Sequence, residues 1–333
     1  MAMHRRRWLL AAMAAATGTT GAGAFRSARA QGAEAWPARP LRIVQAGAPG
    51  GGSEMFVRAI EVRLRERLGQ PLVIESRPGA GGMVAAAHVA GSPGDGYSYF
   101  VSNLATNAIA PALYRKPLFD ARADLPPVAL IATMSNALAV RADSGITDVA
   151  GLVAALKANP AKAFFGSAGA GTSSHLCGVM FGQRAGAPAS HVPYKGTAAN
   201  LNALLAGEVL FSIDNLPLYS AHVKAGTLRL LAVTRARRLE SYPDIPSMQE
   251  AGVADFEVFS WYGLSAANGT PPAVTNRLGA EVVAALADPA VIARIRQMGA
   301  EPAPMGPEAY GAFIRAELAR WAPIVKASGA VAD

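Results

Sequence analysis

Gly47-Ala48-Pro49-Gly50-Gly51-Gly52-Ser53 lies between an apolar strand and an amphipathic helix, and the rest of the chain reuses that design. Upstream, Leu41-Arg42-Ile43-Val44 reads as a short buried strand. Downstream, residues 54–68 put Phe56, Ile60, Leu64 and Leu68 on one helical stripe, and Gly69 stops it. Consecutive glycines let the backbone approach a ligand closely and turn its N–H groups outward. Ser53 suits a helix cap, and the helix N-terminus behind it carries a partial positive charge. Together these form an anion cradle that needs no arginine or lysine. Taken alone, the loop reads equally well as a plain strand-to-helix turn.

A chain of 333 residues is long enough for two domains with real cores. Residues 1–30 stand apart from the fold. Arg5, Arg6 and Arg7, an apolar run from Trp8 to Ala16 and Ser27-Ala28-Arg29-Ala30 have the layout of an export signal cleaved after Ala30. The apolar run is too short to span a bilayer. Arg5-Arg6-Arg7-Trp8-Leu9 approximates a twin-arginine signal loosely, so the Sec and Tat routes both stay open. The leader holds five arginines and no acid, so the mature chain carries 26 basic and 23 acidic residues, a net charge of +3. No mature segment reads as a nucleic-acid patch. Cys177 is the only cysteine, which excludes an intramolecular disulfide and leaves no lipidation site after the leader. The expectation is a soluble protein of the periplasm.

From Leu41 onward strands and helices alternate. Pro71-Leu72-Val73-Ile74-Glu75 and residues 97–101 are further strands, the latter ending at Ser102-Asn103, where parallel sheets present ligand contacts. A βαβαβ run of this kind predicts an α/β fold with a mostly parallel sheet under helices. Residues 128–134 and 137–140 read as two strands. A second unit then opens: strand Phe164-Phe165-Gly166, then Ser167-Ala168-Gly169-Ala170-Gly171-Thr172-Ser173-Ser174-His175 leading into a helix. His191-Val192-Pro193-Tyr194-Lys195-Gly196 is strand and loop, and residues 209–213 form a strand ending at Asp214-Asn215. Helices over 272–287, 290–298 and 307–326 close the chain. Two α/β lobes with matching loops predict a cleft between them.

The chemistry for catalysis or metals is sparse. Ser174 and His175 are sequence neighbours and point about 100° apart on a helix, so they cannot pair as nucleophile and base. Gly166-Ser167-Ala168-Gly169 lacks the spacing of a nucleophile elbow, and neither His191 nor His222 is singled out as a base. The histidines show no metal-ligand spacing, and no metal or cofactor is expected. Gly169-Ala170-Gly171 has Ser174 where a dinucleotide motif needs its third glycine. Thr172, Ser173 and Ser174 offer more hydroxyls than one cap requires, and the surplus suits carboxylate oxygens. Lys195 reads as a solvated lysine, Asp214 as a turn former or a cleft contact, and Trp36, Trp261 and Trp321 as structural anchors.

These segments resemble the substrate-binding proteins of tripartite tricarboxylate transporters, the Bug-type periplasmic receptors. The resemblance spans the mature chain. It rests on Pro49-Gly50-Gly51-Gly52, Arg77-Pro78-Gly79-Ala80-Gly81-Gly82, Asp95-Gly96-Tyr97, Gly171-Thr172-Ser173-Ser174-His175, Val192-Pro193-Tyr194-Lys195-Gly196, Asp214-Asn215, Leu231-Ala232-Val233-Thr234 and Pro243-Asp244-Ile245-Pro246-Ser247. It implies a two-lobed periplasmic-binding-protein fold of type II: lobe one from 31–138 plus 262–333, lobe two from 139–261, with crossings near 136–141 and 258–264. It also implies a monomer, not an enzyme, that closes on a small organic acid and delivers it to integral-membrane permease subunits. The implied contacts in lobe one are Ala48, Gly50, Gly51, Gly52 and Ser53 with Ser102 and Asn103. Those in lobe two are Ser167, Gly171, Thr172, Ser173, Ser174, His175, Tyr194, Lys195, Gly196 and Asp214. The chain departs from the family at Ala46-Gly47, where Pro-Phe is common, and at Glu54, where Asp is usual. Losing that ring opens the pocket to a larger or aromatic acid. A secreted hydrolase using Ser167 or Ser174, and a binding subunit for a membrane signalling partner, stay open beside the receptor.

Overall fold

The computed structural model describes residues 36–47 and 52–332. The leader at 1–30 and the loop residues Ala48, Gly50 and Gly51 lie outside the described residues. The first lobe begins with three parallel strands, β1 (Leu41–Gln45), β2 (Leu72–Ser76) and β3 (Ser98–Asn103), in the order β2-β1-β3. Helices α1 (Gly52–Leu68) and α2 (Met83–Ala90) make the crossovers. The stripe expected on α1 is the buried one: Phe56, Ile60, Leu64 and Leu68 all face the core. Its other face is tied by the ion pairs Arg58–Glu54, Arg58–Glu61 and Arg63–Glu66. Helix α1 starts at Gly52, so Ser53 lies inside its first turn and not at the cap position.

After a single π-turn (Ala105–Ile109) and the short helix α3 (Ala110–Leu113), the chain crosses the molecule on β4 (Pro127–Arg141). The two short strands expected here are one strand of 15 residues. The polar pair Ser135-Asn136 that divides them in sequence is buried inside it. The second lobe comes next: α4 (Val149–Ala158), β5 (Phe164–Ser167), α5 (Ser173–Arg184), β6 (Ser190–Pro193), α6 (Thr197–Ala206), β7 (Phe211–Asn215), α7 (Leu216–Lys224) and β8 (Leu228–Val233). Strands β6, β5 and β7 form the second parallel set.

The chain returns on β9 (Phe259–Ala266) and ends with α8 (Pro272–Leu286), α9 (Pro289–Gln297), β10 (Ala300–Met305) and α10 (Pro307–Ser328). Helix α7 and strand β10 escape the sequence pattern. The ten strands join in the order β2-β1-β3-β9-β4-β7-β5-β6, with β8 and β10 also pairing along β4. The parallel sheet expected from the alternation forms the two flanks, whereas the middle is antiparallel. The cause is connectivity. A chain that leaves one lobe on β4 and comes back on β9 must run those strands in opposite directions. At the crossing, Thr234 N–H donates to the Asn136 carbonyl at 3.0 Å and Val258 N–H to the Thr234 carbonyl at 2.8 Å.

One apolar cluster joins Leu104, Ile109 and Leu113 to Phe165, Leu176, Phe181 and Phe211 through Tyr310, Trp321 and Val325 of α10. Trp261 and Trp321 are both fully buried, and each indole donates to Glu317 at 3.2 Å. The Trp36 indole donates to the Gly96 carbonyl at 2.9 Å, so all three tryptophans are anchors. Among the described residues no helix is long and apolar enough to cross a membrane.

Candidate functional site

Strand register places the two sets of loops. Asn103, at the C-terminal end of β3, is level with Tyr262 of β9, which pairs with Ala132 of β4. Asn215, at the C-terminal end of β7, pairs with Asn136. Strands β3 and β7 therefore point toward each other along β4. Their ends are separated by the four residue steps from Ala132 to Asn136, about 13 Å of extended chain. Strands β1 and β2 end beside β3, and β5 and β6 beside β7, so both glycine- and hydroxyl-rich edges border this gap.

On the lobe-one edge the organising side chain is Gln45, which sequence reasoning missed. It is fully buried at the end of β1. Its Oε1 accepts from Gly47 N–H and from the Ser53 hydroxyl, both at 2.7 Å, and its Nε2 donates to the Gly47 carbonyl at 2.9 Å. Gly47 and Ser53 are thus both held by one amide. Ser53 is committed to that role and is buried. Ser102 is also buried and shares a hydrogen bond of 2.8 Å with the Tyr310 hydroxyl, which places it in the wall behind the edge. Asn103 is half-buried, with its Oδ1 accepting from Thr106 N–H at 3.2 Å. Close by, Asn107 is fully buried, and its Nδ2 has no partner among the described residues.

The loop after β2 closes in from the same side. Ala80, Gly81 and Gly82 take φ values of +43°, +62° and +100°. A methyl built at Gly82 would lie 2.6 Å from Thr106 Cγ2 and 2.9 Å from Ala46 Cβ, so only glycine lets this loop reach the ends of β1 and β3. Thr106 and Asn107 join the edge without having been singled out from sequence, and this glycine run was singled out as part of the resemblance but not as a contact. The one available signal was Pro78-Gly79-Ala80-Gly81-Gly82, which also reads as an ordinary turn.

On the lobe-two edge, Thr172 is the N-cap of α5: its Oγ1 accepts from His175 N–H at 3.4 Å and donates to the Gly169 carbonyl at 2.7 Å. Ser174 Oγ accepts from Ala168 N–H at 3.0 Å and meets Thr172 Oγ1 at 3.0 Å. Ser173 is half-buried, and among the described residues its hydroxyl has no protein partner. Lys195 and Gly196 are exposed, and Gly196 N–H donates to the Ala168 carbonyl at 3.1 Å, joining the two loops. The Tyr194 hydroxyl instead donates to Glu208 at 3.0 Å, so its backbone, not its phenol, borders the site.

Three residues lie deeper than their sequence position suggested. Ser167 is fully buried, and its hydroxyl meets His191 Nε2 at 2.6 Å and Gly169 N at 3.1 Å. His175 is buried with Nδ1 accepting from Gly171 N–H at 3.0 Å, and its ring stacks on His191 with centroids 3.8 Å apart. Burial lowers the pKa of His175; burial and the neighbouring ring lower His191 to about 4. Asp214 is buried near the end of β7, accepting from Asn215 N–H at 2.8 Å and Asn200 Nδ2 at 3.4 Å, and burial raises it to about 6. Burial likewise pushes the Cys177 thiol up to about 12, so it packs as an apolar group.

The lobe-two loop also touches helix α3, beyond the end of β3. Gly171 has φ +76°, and a methyl built on it would lie 2.3 Å from Leu113 Cδ2. The site is therefore built from backbone amides, hydroxyls and side-chain amides at the ends of six strands. Such groups donate to a carboxylate without paired cations. Among the described residues no group of three or more histidine, cysteine or acidic side chains is arranged to hold a metal.

A crossed pair of α/β lobes with loops facing each other across the crossing strand is the architecture of a solute-binding receptor with the periplasmic-binding-protein fold. The chain belongs to the tripartite tricarboxylate transporter family receptors, whose profile matches residues 56–330. It is 31% identical over 299 residues to Protein BugT of Bordetella pertussis, covering 90% of this chain and 92% of that protein. Among solved structures it resembles Rpa4515 of R. palustris with adipate, at a TM-score of 0.81 and 35% identity, covering 89% of this chain and 99% of that one. It also resembles MatC of Rhodopseudomonas palustris with bound malate, at a TM-score of 0.76 and 30% identity, covering 87% and 99%.

Proposed function

We propose that this receptor captures a small carboxylate between the two strand-end edges and, closed around it, delivers it to the membrane permease subunits of a tripartite tricarboxylate transporter. The observation that carries the reading is the register that sets Asn103 and Asn215 toward each other across four residue steps of β4. An acid in that gap touches both halves, and contacts that exist only in the closed form are what shift a two-state equilibrium toward closure. The adipate and malate held by the two similar proteins support a small carboxylate as the class of ligand.

In this reading lobe one comprises 31–138 and 262–333, lobe two comprises 139–261, and Asn136, Thr234 and Val258 mark the hinge. Ser173, the first-turn amides of α5, Lys195 and Gly196 grip from one side, and the 47–53 loop with Asn103 and Asn107 from the other. Export by the leader at 1–30 puts the monomer in the periplasm, where the ligand is met. Native mass spectrometry of protein purified without denaturation tests the reading. A retained acid, held more weakly on Ser173→Ala, supports it. Acid binding that ignores Ser173 and Lys195 contradicts it.

A further inference from the structure

Two imidazoles lie beneath the lobe-two loop, and neither the carboxylate grip nor the core requires a histidine there. His175 and His191 come from different elements, α5 and β6, yet stack face to face at 3.8 Å, with Phe165 continuing the stack at 5.1 Å from His191. Each ring also holds one strand of the loop: His175 Nδ1 receives Gly171 N–H at 3.0 Å, and His191 Nε2 meets Ser167 Oγ at 2.6 Å. The first bond specifies a protonation state. A backbone N–H can only donate, so Nδ1 of His175 must be bare and the ring neutral with its proton on Nε2.

We propose that His175, backed by His191, is the positioning residue of the ligand loop, holding residues 168–172 in their acid-accepting form only while the imidazole pair is neutral. The inference rests on the reading of this loop as the ligand site. A proton on His175 Nδ1 would set two donors against each other at Gly171, and a second proton on His191 would stack two cations. Gly171 would then be released from the helix end, and with it the seat against Leu113. The other titratable groups on α5 and the elements packed around it are Cys177 and Arg184 on the helix itself, the latter paired with Asp255, Asp214 on β7, Glu308, Tyr310, Arg315, Glu317, Arg320 and Lys326 on α10, and Tyr194 and Lys195 after β6. Asp214 and Arg320 act on Cys177, Glu317 is bonded to Arg320 and two indoles, and Tyr194 is turned to Glu208. Among the described residues His191 is the titratable group against the His175 ring face. Both rings are driven toward the neutral form by burial.

Nitrogen-detected NMR of the full mature chain tests this without a ligand. The result expected is a His175 ring protonated on Nε2 and bare on Nδ1 at pH 7.5, titrating with a midpoint below the usual value of about 6.5. The Gly171 amide resonance should move with the same midpoint. In His175→Asn, whose Oδ1 can accept from Gly171 but does not titrate, that movement should vanish while the pH 7.5 spectrum of the loop is kept. A His175 ring protonated on Nδ1, or a Gly171 amide indifferent to the ring's titration, overturns the proposal. Adding adipate at pH 7.5 separates the two readings. If Gly171 follows His175 but no acid perturbs residues 168–175, the positioning role stands and the ligand-site reading falls.

Discussion

The Ser53 hydroxyl donates to Gln45 Oε1 at 2.7 Å, and the same oxygen receives Gly47 N–H. One buried amide therefore sets where the glycine loop leaves β1 and where α1 begins. Gln45→Leu removes the acceptor and strands Gly47 N–H and the Ser53 hydroxyl. Each abandoned polar group costs about 1–3 kcal/mol when buried. Urea unfolding should show a loss of several kcal/mol for Gln45→Leu and about 1 kcal/mol for Ser53→Ala.

The hydroxyls at the start of α5 should separate by role. Ser174 Oγ is bonded to Ala168 N–H and Thr172, so Ser174→Ala should cost about 1 kcal/mol of stability. Ser173 makes no such bond, so Ser173→Ala should leave the melting temperature unchanged and weaken acid binding about tenfold. Calorimetry of both variants, with thermal melts, checks the division.

The seat of Leu113 on Gly171 predicts a coupled pair. Gly171→Ala places a methyl against Leu113 and strains a positive φ, with a cost of about 1–3 kcal/mol. Leu113→Ala makes room for the methyl. A double-mutant cycle should therefore show the pair costing less than the two single changes added together.

Asp214 gives a pH dependence with a definite sign. Its folded pKa of about 6 lies above the unfolded value of about 3.9, so the folded protein holds the proton more tightly. Below both values the group has no effect. As pH rises through this window the unfolded chain ionises first, and stability falls by about 3 kcal/mol in all by the time both states are ionised. Asp214→Asn keeps an acceptor for Asn215 N–H and should stabilise the protein at pH 7.5. The contribution that wild type loses between pH 4 and 6 should be absent from the variant's stability profile.

Much of this architecture is legible in the sequence, because local pattern and tertiary need agree over most of it. The α1 stripe Phe56, Ile60, Leu64 and Leu68 is periodic because it packs on a sheet, and Thr172 stands where a helix needs a cap. The hidden parts depend on distant partners. Ser135 and Asn136 look like a break in an apolar run, yet the Ser135 hydroxyl donates to the Asn136 carbonyl and Asn136 N–H to the Thr234 hydroxyl 98 residues away, so β4 continues through them. Strand β10 contains Pro302 and Pro304 and reads as a loop; it survives as a strand by pairing irregularly along one side of β4. Ser102, Ser167 and Asp214 have the residue types of ligand contacts but lie behind the edge, where they hold Tyr310, His191 and Asn200. Gln45, the residue that shapes the loop, looks in sequence like the polar end of a strand and nothing more.

The claim on which all of this depends is that a small acid bridges the ends of β3 and β7. A crystal structure of the protein with the acid it retains tests that most directly. The expected result is a carboxylate oxygen within about 3 Å of the Ser173 hydroxyl and the first amides of α5, with the opposite end of the molecule against the 47–53 loop and Asn103. An acid held by arginine or lysine side chains away from Asn136, with those loops facing bulk water, would contradict the account.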